Sequence, residues 1–272
     1  GRYSTAHVYK NALYSFGRYC GTLNVSFKQV TKERLRRYGQ YLYECGLKPN
    51  TISTYMRMLR CIYNRGVDAR QAPYVHGLFR DVFTGVDTRQ KKALPLSELH
   101  TLLNKDPQTE TLRHTQAIAN LLFQFGGMPF VDLAYLRKSD LHGNVITYRR
   151  RKTGRPLSVT LTNEAMRIVR MYMNQDVHSP YLFSFLRSPE GTMEAYREYQ
   201  LALRSFNRQL LILGEFLGIP NRLSSYTARH TWATTAYYCE VHPGIISQAM
   251  GHSSITVTET YLKPFQNKKI DE

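Results

Sequence analysis

Three residues near the C-terminus, Arg229, His252 and Tyr261, have side chains that could act together on a phosphodiester. A tyrosine hydroxyl has a reference pKa of about 10, so it is a poor nucleophile at neutral pH unless its neighbours assist it. An arginine fork contacts two non-bridging phosphate oxygens and stabilises the charge that develops on them, and a histidine donates a hydrogen bond or moves a proton. Each residue alone also has a structural explanation: packing for Tyr261, a helix cap for His252 and a buried ion pair for Arg229.

The order and spacing of these residues favour the chemical interpretation. Arg229 opens an Arg-His-Thr segment, His252 belongs to a Gly-His-Ser-Ser turn, and Tyr261 lies nine residues beyond His252. This region resembles the second signature box of the tyrosine recombinases, also called the phage integrase family. The resemblance implies that Tyr261 attacks DNA to form a 3′-phosphotyrosyl link, with Arg229 and His252 at the phosphate.

The family also has a lysine on a β-hairpin turn, which protonates the leaving 5′ oxygen. Here Lys152-Thr153-Gly154 lies between two alternating stretches, residues 145–152 and 157–161, which predict a hairpin. Lys152 takes the general-acid role by this resemblance. The reaction conserves the bond energy, so the resemblance implies no cofactor and no metal ion.

Two positions depart from the family's pattern. Tyr226 stands three residues before Arg229, where the family usually has histidine, and tyrosine is a poorer proton carrier at pH 7. The family's first arginine belongs to a Gly-x-Arg-x-x-Glu pattern, and aligning Asp132 with its acidic residue leaves Pro129 at the arginine position. Loss of one transition-state donor typically costs about 3 kcal/mol or more unless another group replaces it.

A basic residue on the predicted hairpin could supply the missing guanidinium. Side chains alternate along a strand, so Tyr148, Arg150 and Lys152 would share one face. We hypothesise that Arg150 replaces the missing arginine; Arg137 is a second candidate, and contact with the DNA backbone is the simpler alternative for Arg150. Both departures are similar to those of integrases and invertases of mobile elements in anaerobic gut bacteria, which implies a bacterial, nucleoid-associated protein. The four cysteines share no metal-ligand spacing, which fits a reduced, cytoplasmic setting.

The charge is unevenly distributed. The net charge of +17 favours a polyanionic partner, nucleic acid first and an anionic membrane surface second. Residues 1–92 contain 17 Lys and Arg against five Asp and Glu, whereas residues 93–272 contain 20 against 15. We predict a basic helical domain over residues 1–86, a linker over 87–92, and a catalytic domain with a C-terminal tail over 93–272. By resemblance, the first is a SAM-like core-binding domain that clamps duplex DNA together with the second.

Hydrophobic periodicity predicts a mainly α fold. The first domain is predicted to be four-helix-like, with helix caps at Ser4 and Asn50. The catalytic domain is predicted to be mixed α/β, mostly helical with a small three-stranded antiparallel sheet, in which Tyr181–Phe185 joins the hairpin. Its predicted helices are Ser97–Leu103, Leu112–Phe125, Asn163–Met173, Thr192–Leu217 and Tyr226–Cys239.

Basic residues outside the apolar helix stripes and on the hairpin are candidates for DNA contact. Any one of them alone is more simply a solvated helix face, but together they favour a surface that follows the phosphates and binds salt-sensitively. The predicted DNA-binding residues are Lys32, Arg36, Arg37, Arg57, Arg60, Arg149 and Arg151.

Composition and resemblance leave three functions open. An apolar fraction of 42% excludes a disordered basic tail, no apolar run reaches the roughly 18 residues that span a bilayer, and we expect no secretory signal. The candidates are a site-specific recombinase for integration, excision or inversion, a type IB topoisomerase-like or resolving enzyme, and a DNA-binding relative with weakened catalysis. The first implies a duplex recombination site as partner, a homotetramer on synapsed DNA from a free monomer or weak dimer, accessory DNA-bending proteins and no membrane.

Overall fold

The computed structural model describes residues 3–87 and 93–262. The chain divides into two compact units, Gly1–Arg89 and Gln90–Glu272. Apart from Asp87, the predicted linker lies outside the described residues, as does the predicted tail beyond Leu262. None of the helices in residues 3–87 and 93–262 is both long and apolar enough to cross a bilayer.

The described part of the first unit contains three α-helices: α1 (Tyr3–Cys20), α2 (Lys32–Glu44) and α3 (Pro49–Asp68). The prediction of a four-helix arrangement is therefore wrong for residues 3–87. Apolar residues at helical spacing on α2 and α3 pack into one hydrophobic core, whose fully buried members include Leu35, Tyr38 and Met56.

Both predicted caps in this unit are wrong. Ser4 lies inside α1, and α3 begins at Pro49 after Lys48, because proline suits the first helical position. The side chain of Asn50 instead binds the backbone of Asp87, donating to its carbonyl at 2.9 Å and accepting from its N–H at 2.8 Å. Asn50 therefore holds the end of this unit against α3.

The second unit is mostly helical, as predicted. Threonine side chains cap three of its helices: Thr109, Thr162 and Thr192 each accept a backbone N–H from the first turn. Helix α5 packs against α7, α8 and α9, and α9 carries the predicted site residue Arg229. The helices are α4 (Leu96–Asn104), α5 (Glu110–Gln124), α6 (Phe130–Ala134), α7 (Asn163–Tyr172), α8 (Met193–Leu217), α9 (Thr227–Tyr238), α10 (Pro243–Ala249) and α11 (Ile255–Glu259).

The sheet is three-stranded and antiparallel, with the order β1 (Leu141–His142), β2 (Val145–Arg149) and β3 (Pro156–Thr160). The predicted hairpin is β2–β3. The prediction that Tyr181–Phe185 forms the third strand is wrong, because this segment makes only an isolated bridge between Tyr181 and Arg137. Its residues are largely buried in irregular chain, and a short apolar run does not distinguish that state from a strand.

Candidate active site

Arg229 lies in the first turn of α9 and is 1% exposed. Its guanidinium donates to the carbonyls of Gly127 at 2.8 Å and Met250 at 2.9 Å. Gly127 has a φ of +67°, and a Cβ there would lie 3.0 Å from the Arg229 Cα, so glycine permits this close approach. Within residues 3–87 and 93–262 no carboxylate pairs with Arg229, so its predicted alternative as a buried ion-pair residue is wrong.

His252 lies directly against Arg229. Its Nε2 is 2.7 Å from an Arg229 Nη2, and its Nδ1 is 2.8 Å from the Thr258 Oγ1. Burial, followed by the charges of Arg229, Arg150 and Lys152, lowers the pKa of His252 to about 4. The ring is therefore neutral at pH 7.

Tyr261 follows α11, and its ring completes the cluster. The ring centre lies 5.0 Å from that of His252, and the Arg229 Cζ lies 5.4 Å from it. The ring of His230 is 4.7 Å away on a second side. The structure thus brings together all three residues on which the chemical interpretation rests, and adds His230, whose sequence signal is its position next to Arg229.

Arg150 enters the same buried region from the sheet. It is 5% exposed, directly follows β2, and continues the buried alternation of Ile146 and Tyr148 by one residue. Its Nη1 donates to the Asp132 Oδ2 at 2.5 Å, and Asp132 also accepts the Arg151 N–H at 3.0 Å. Asp132 thereby orients the basic turn rather than facing solvent.

Two buried guanidiniums consequently stand near each other. Burial and the neighbouring charge of Arg150 lower the pKa of Arg229. The Nε atoms of Arg150 and Arg229 are both buried and have no hydrogen-bond partner in the described parts of the chain. Unused donors on two cations that repel each other are the electrostatic setting in which an anion binds favourably.

Lys152 lies in the exposed β2–β3 turn, because β2 ends at Arg149 and the strand alternation does not reach it. The prediction that it shares the buried face of Arg150 is therefore wrong. The turn is nevertheless tied to the site: the Thr153 hydroxyl donates to the Gly251 carbonyl at 3.1 Å, and Arg155 donates to the carbonyl of His252. Sequence reasoning missed both contacts, since they join residues almost 100 positions apart.

Tyr226 is the residue before α9, at its N-terminal end, and is 50% exposed. Its ring centre lies 6.5 Å from that of His230, which in turn contacts Tyr261. The structure therefore places Tyr226 at the solvent side of the cluster.

Comparison with known proteins identifies the family to which the chain belongs. The sequence profile described as the phage integrase family matches residues 92–268, which is more than half of the chain. This chain belongs to the phage integrase family. The profile of the phage integrase SAM-like domain matches residues 1–74.

The similarity to single proteins is limited to a short segment or to low sequence identity. Tyrosine recombinase XerC of Rickettsia bellii (strain OSU 85-389) is 34% identical over 58 residues, which span 21% of this chain and 19% of that protein. A lambda integrase (75–356) dimer bound to a COC′ core site superposes with a TM-score of 0.69 at 14% identity, covering 95% of this chain and 88% of that one. The Tn1549 transposon integrase in complex with transposon right end DNA gives a TM-score of 0.64 at 16% identity, covering 90% and 84%. At these identities the likeness to the solved structures shows the fold.

Arg137, the second candidate for the family's missing arginine, is paired with an acidic residue instead. It is exposed and pairs with Glu190 at 2.7 Å, and Arg151 pairs with the other oxygen of Glu190 at 2.5 Å. The Arg151 Cζ also lies 3.7 Å from the ring centre of Tyr135. Glu190 therefore holds two of the basic residues near the hairpin. For Arg151 to contact DNA, its ion pair with Glu190 would have to break, or Arg151 would have to bind Glu190 and a phosphate together.

The remaining predicted DNA-binding residues are at or near the surface of their units. Arg149 is exposed and donates to the Gly154 carbonyl at 3.2 Å. Arg36 and Arg37 are exposed and pair with Glu33, at 3.8 Å and 2.8 Å respectively. Surface ion pairs of this kind contribute little to stability, so breaking them to bind a polyanion would cost little free energy. Lys32 and Arg60 are exposed, and Arg57 is half-buried.

The lowered pKa of His252 predicts a pH-dependent stability. The unfolded ring takes up a proton near pH 6.5 but the native ring only near pH 4, so stability falls as the pH decreases through this window. Between pH 7 and pH 5 the free energy of unfolding should decrease by about 2 kcal/mol more in the wild type than in His252→Gln, as measured by urea denaturation. The variant His142→Gln, which changes an exposed histidine, should follow the wild type; equal pH profiles for His252→Gln and wild type would contradict the buried neutral ring.

Proposed function

We propose that this chain is a site-specific DNA recombinase that cleaves and rejoins DNA through a 3′-phosphotyrosyl intermediate on Tyr261. One observation carries the proposal: Tyr261, Arg229 and His252 contact one another in a site where Arg150 supplies a second buried guanidinium. Membership of the phage integrase family supports it. So does the fold shared with integrases that were solved bound to DNA.

The residues divide the reaction between them. The Tyr261 oxygen loses its proton to water and attacks the phosphorus, and the bond from phosphorus to the 5′ oxygen breaks. Arg229 and His252 bind the non-bridging oxygens, where negative charge accumulates, and Lys152 on the hairpin turn protonates the leaving 5′ oxygen. Attack by a 5′ hydroxyl reverses these steps and joins the strand, so the bond energy is conserved.

Arg150 is proposed to replace the missing first arginine of the family. It is buried, it lies near enough to lower the pKa of both Arg229 and His252, and its Nε has no partner in the described residues. Asp132 fixes its Nη1, which leaves the rest of the fork for a phosphate oxygen. Tyr226, in the usual histidine position, would donate a hydrogen bond to the same phosphate.

The basic first unit is proposed to hold the duplex. Lys32, Arg36, Arg37, Arg57 and Arg60 lie on α2 and α3, and the predicted hairpin contacts add Arg149 and Arg151. Strand exchange requires two DNA sites, so we expect a homotetramer on synapsed DNA, formed from monomers or weak dimers, with accessory DNA-bending proteins. Such a protein would act in the bacterial cytoplasm, on nucleoid DNA.

A nicked duplex that carries the candidate recombination site tests this function. A nick close to the cleavage site lets the short strand with the new 5′ hydroxyl diffuse away, so a covalent protein–DNA band should accumulate on a denaturing gel. Two intact sites should then exchange strands, whereas a topoisomerase-like enzyme would relax one duplex without exchange. Binding without any covalent band would contradict the proposal and favour a relative whose catalysis is weakened.

A further inference from the structure

Thr258 is the buried partner of the site histidine. It is 0% exposed, lies within the short helix α11, and places its hydroxyl 2.8 Å from the His252 Nδ1. Its carbonyl accepts the backbone N–H of Tyr261 at 2.8 Å. One residue thus contacts both the side chain of His252 and the segment that carries the nucleophile.

The contacts of His252 determine which of its nitrogens carries the proton. A guanidinium has donors and no acceptor, so the Nε2 that faces Arg229 at 2.7 Å must accept. A neutral ring with an accepting Nε2 has its proton on Nδ1, which then donates to the Thr258 hydroxyl. In this state His252 offers no N–H to a phosphate.

A bound phosphate changes the requirement on His252. Phosphate oxygens accept hydrogen bonds, so they would take over the Arg229 donor, and Nε2 would need a proton of its own to contact them. The Thr258 hydroxyl can accept from a protonated Nδ1 or donate to an unprotonated one, because it is both donor and acceptor. It can therefore pair with either tautomer after rotating about its C–O bond.

We propose that Thr258 is a positioning residue that lets His252 change from an acceptor for Arg229 in the free protein to a donor for the scissile phosphate in the complex. In this change Nε2 gains a proton from water and Nδ1 loses one to water, so the ring stays neutral. The inference rests on the proposed function, since it assigns His252 to the phosphate. The first part of the proposal, the tautomer of His252 in the free protein, can be tested without DNA.

The tautomer is read by ¹⁵N NMR of protein labelled at histidine, with His252 assigned by the signals that disappear in His252→Gln. The free wild type should show a protonated Nδ1 and an unprotonated Nε2. In the complex of the Tyr261→Phe variant with duplex DNA, the protonated nitrogen should be Nε2. A protonated Nε2 in the free protein, or an unchanged tautomer in the complex, would overturn the proposal.

Two substitutions at Thr258 separate its hydroxyl from its bulk. Thr258→Ser keeps the hydroxyl and should form the covalent adduct within about threefold of the wild-type rate, whereas Thr258→Val should be slower by about 10- to 100-fold. The matched control is Thr256→Val on the exposed side of the same helix, expected within about twofold of wild type. Equal rates for the serine and valine variants would overturn the positioning role.

Loss of stability in a Thr258 variant would leave the proposal testable. If Thr258→Val unfolds, the wild-type tautomer and the serine variant still test the proposal. If the wild type never forms an adduct while Nδ1 carries the proton, the proposed function fails and the free-state tautomer stands. The two failures are therefore distinguishable.

Discussion

Replacing Tyr261 with phenylalanine is expected to abolish the covalent protein–DNA adduct and leave DNA binding intact. The substitution removes the attacking oxygen and keeps the ring that packs against His230 and His252. Loss of a nucleophile with no substitute should lower the cleavage rate by at least about 10⁴-fold. Denaturing gels of reactions with nicked substrate measure this rate, and gel shifts at fixed salt measure binding.

Tyr238→Phe is the matched control for this result, because it makes the same change in α9, outside the cluster around Arg229. It should form the adduct at the wild-type rate. An adduct that persists in Tyr261→Phe would show that another residue is the nucleophile, and the account of the site would be wrong.

The second large effect is expected at Arg150. If its guanidinium replaces the family's first arginine, removing it should slow cleavage by about 10²- to 10³-fold, as loss of one transition-state donor does elsewhere. Arg150→Lys should fall between wild type and Arg150→Ala, since an ammonium keeps the charge but not the fork.

Asp132 complicates the interpretation of Arg150→Ala. Removing one partner of a buried ion pair leaves the other charge uncompensated, which typically costs about 3–5 kcal/mol of stability. The double variant Asp132→Asn with Arg150→Ala relieves that cost and should remain folded yet slow. The exposed neighbour Arg149→Ala is the control and should cleave within a few-fold of wild type. Full cleavage by the double variant would mean that Arg150 only neutralises Asp132.

The parts of the site set by local spacing could be predicted from the sequence. The Gly-His turn and the nine-residue interval place His252 and Tyr261 just after the short helices α10 and α11, and the alternation of β2 continues one residue past its end to bury Arg150. The alternation does not extend to Lys152, because the chain turns directly after Arg150, whose carbonyl accepts the Gly154 N–H at 2.7 Å. Predicting a strand at Tyr181–Phe185 failed since burial alone made that segment apolar.

The tertiary contacts of the site left no readable pattern in the sequence. Nothing near Glu190 indicates that it binds Arg137 and Arg151, which lie about 40 to 50 positions earlier. The same holds for Thr153 against Gly251. Thr258 differs: its place three residues before Tyr261, within one helical turn, could have suggested a contact with the nucleophile segment.

We expect Tyr261 to become linked to a DNA 3′ phosphate, and mass spectrometry of the adduct identifies the linked residue. The adduct from a nicked substrate is digested with trypsin and nuclease, and the modified peptide is fragmented. The expected result is a nucleotide on Tyr261, not on Tyr237 or Tyr238, together with a free 5′ hydroxyl on the released strand. A nucleotide on another residue, or a 5′-phosphate link to Tyr261, would contradict it.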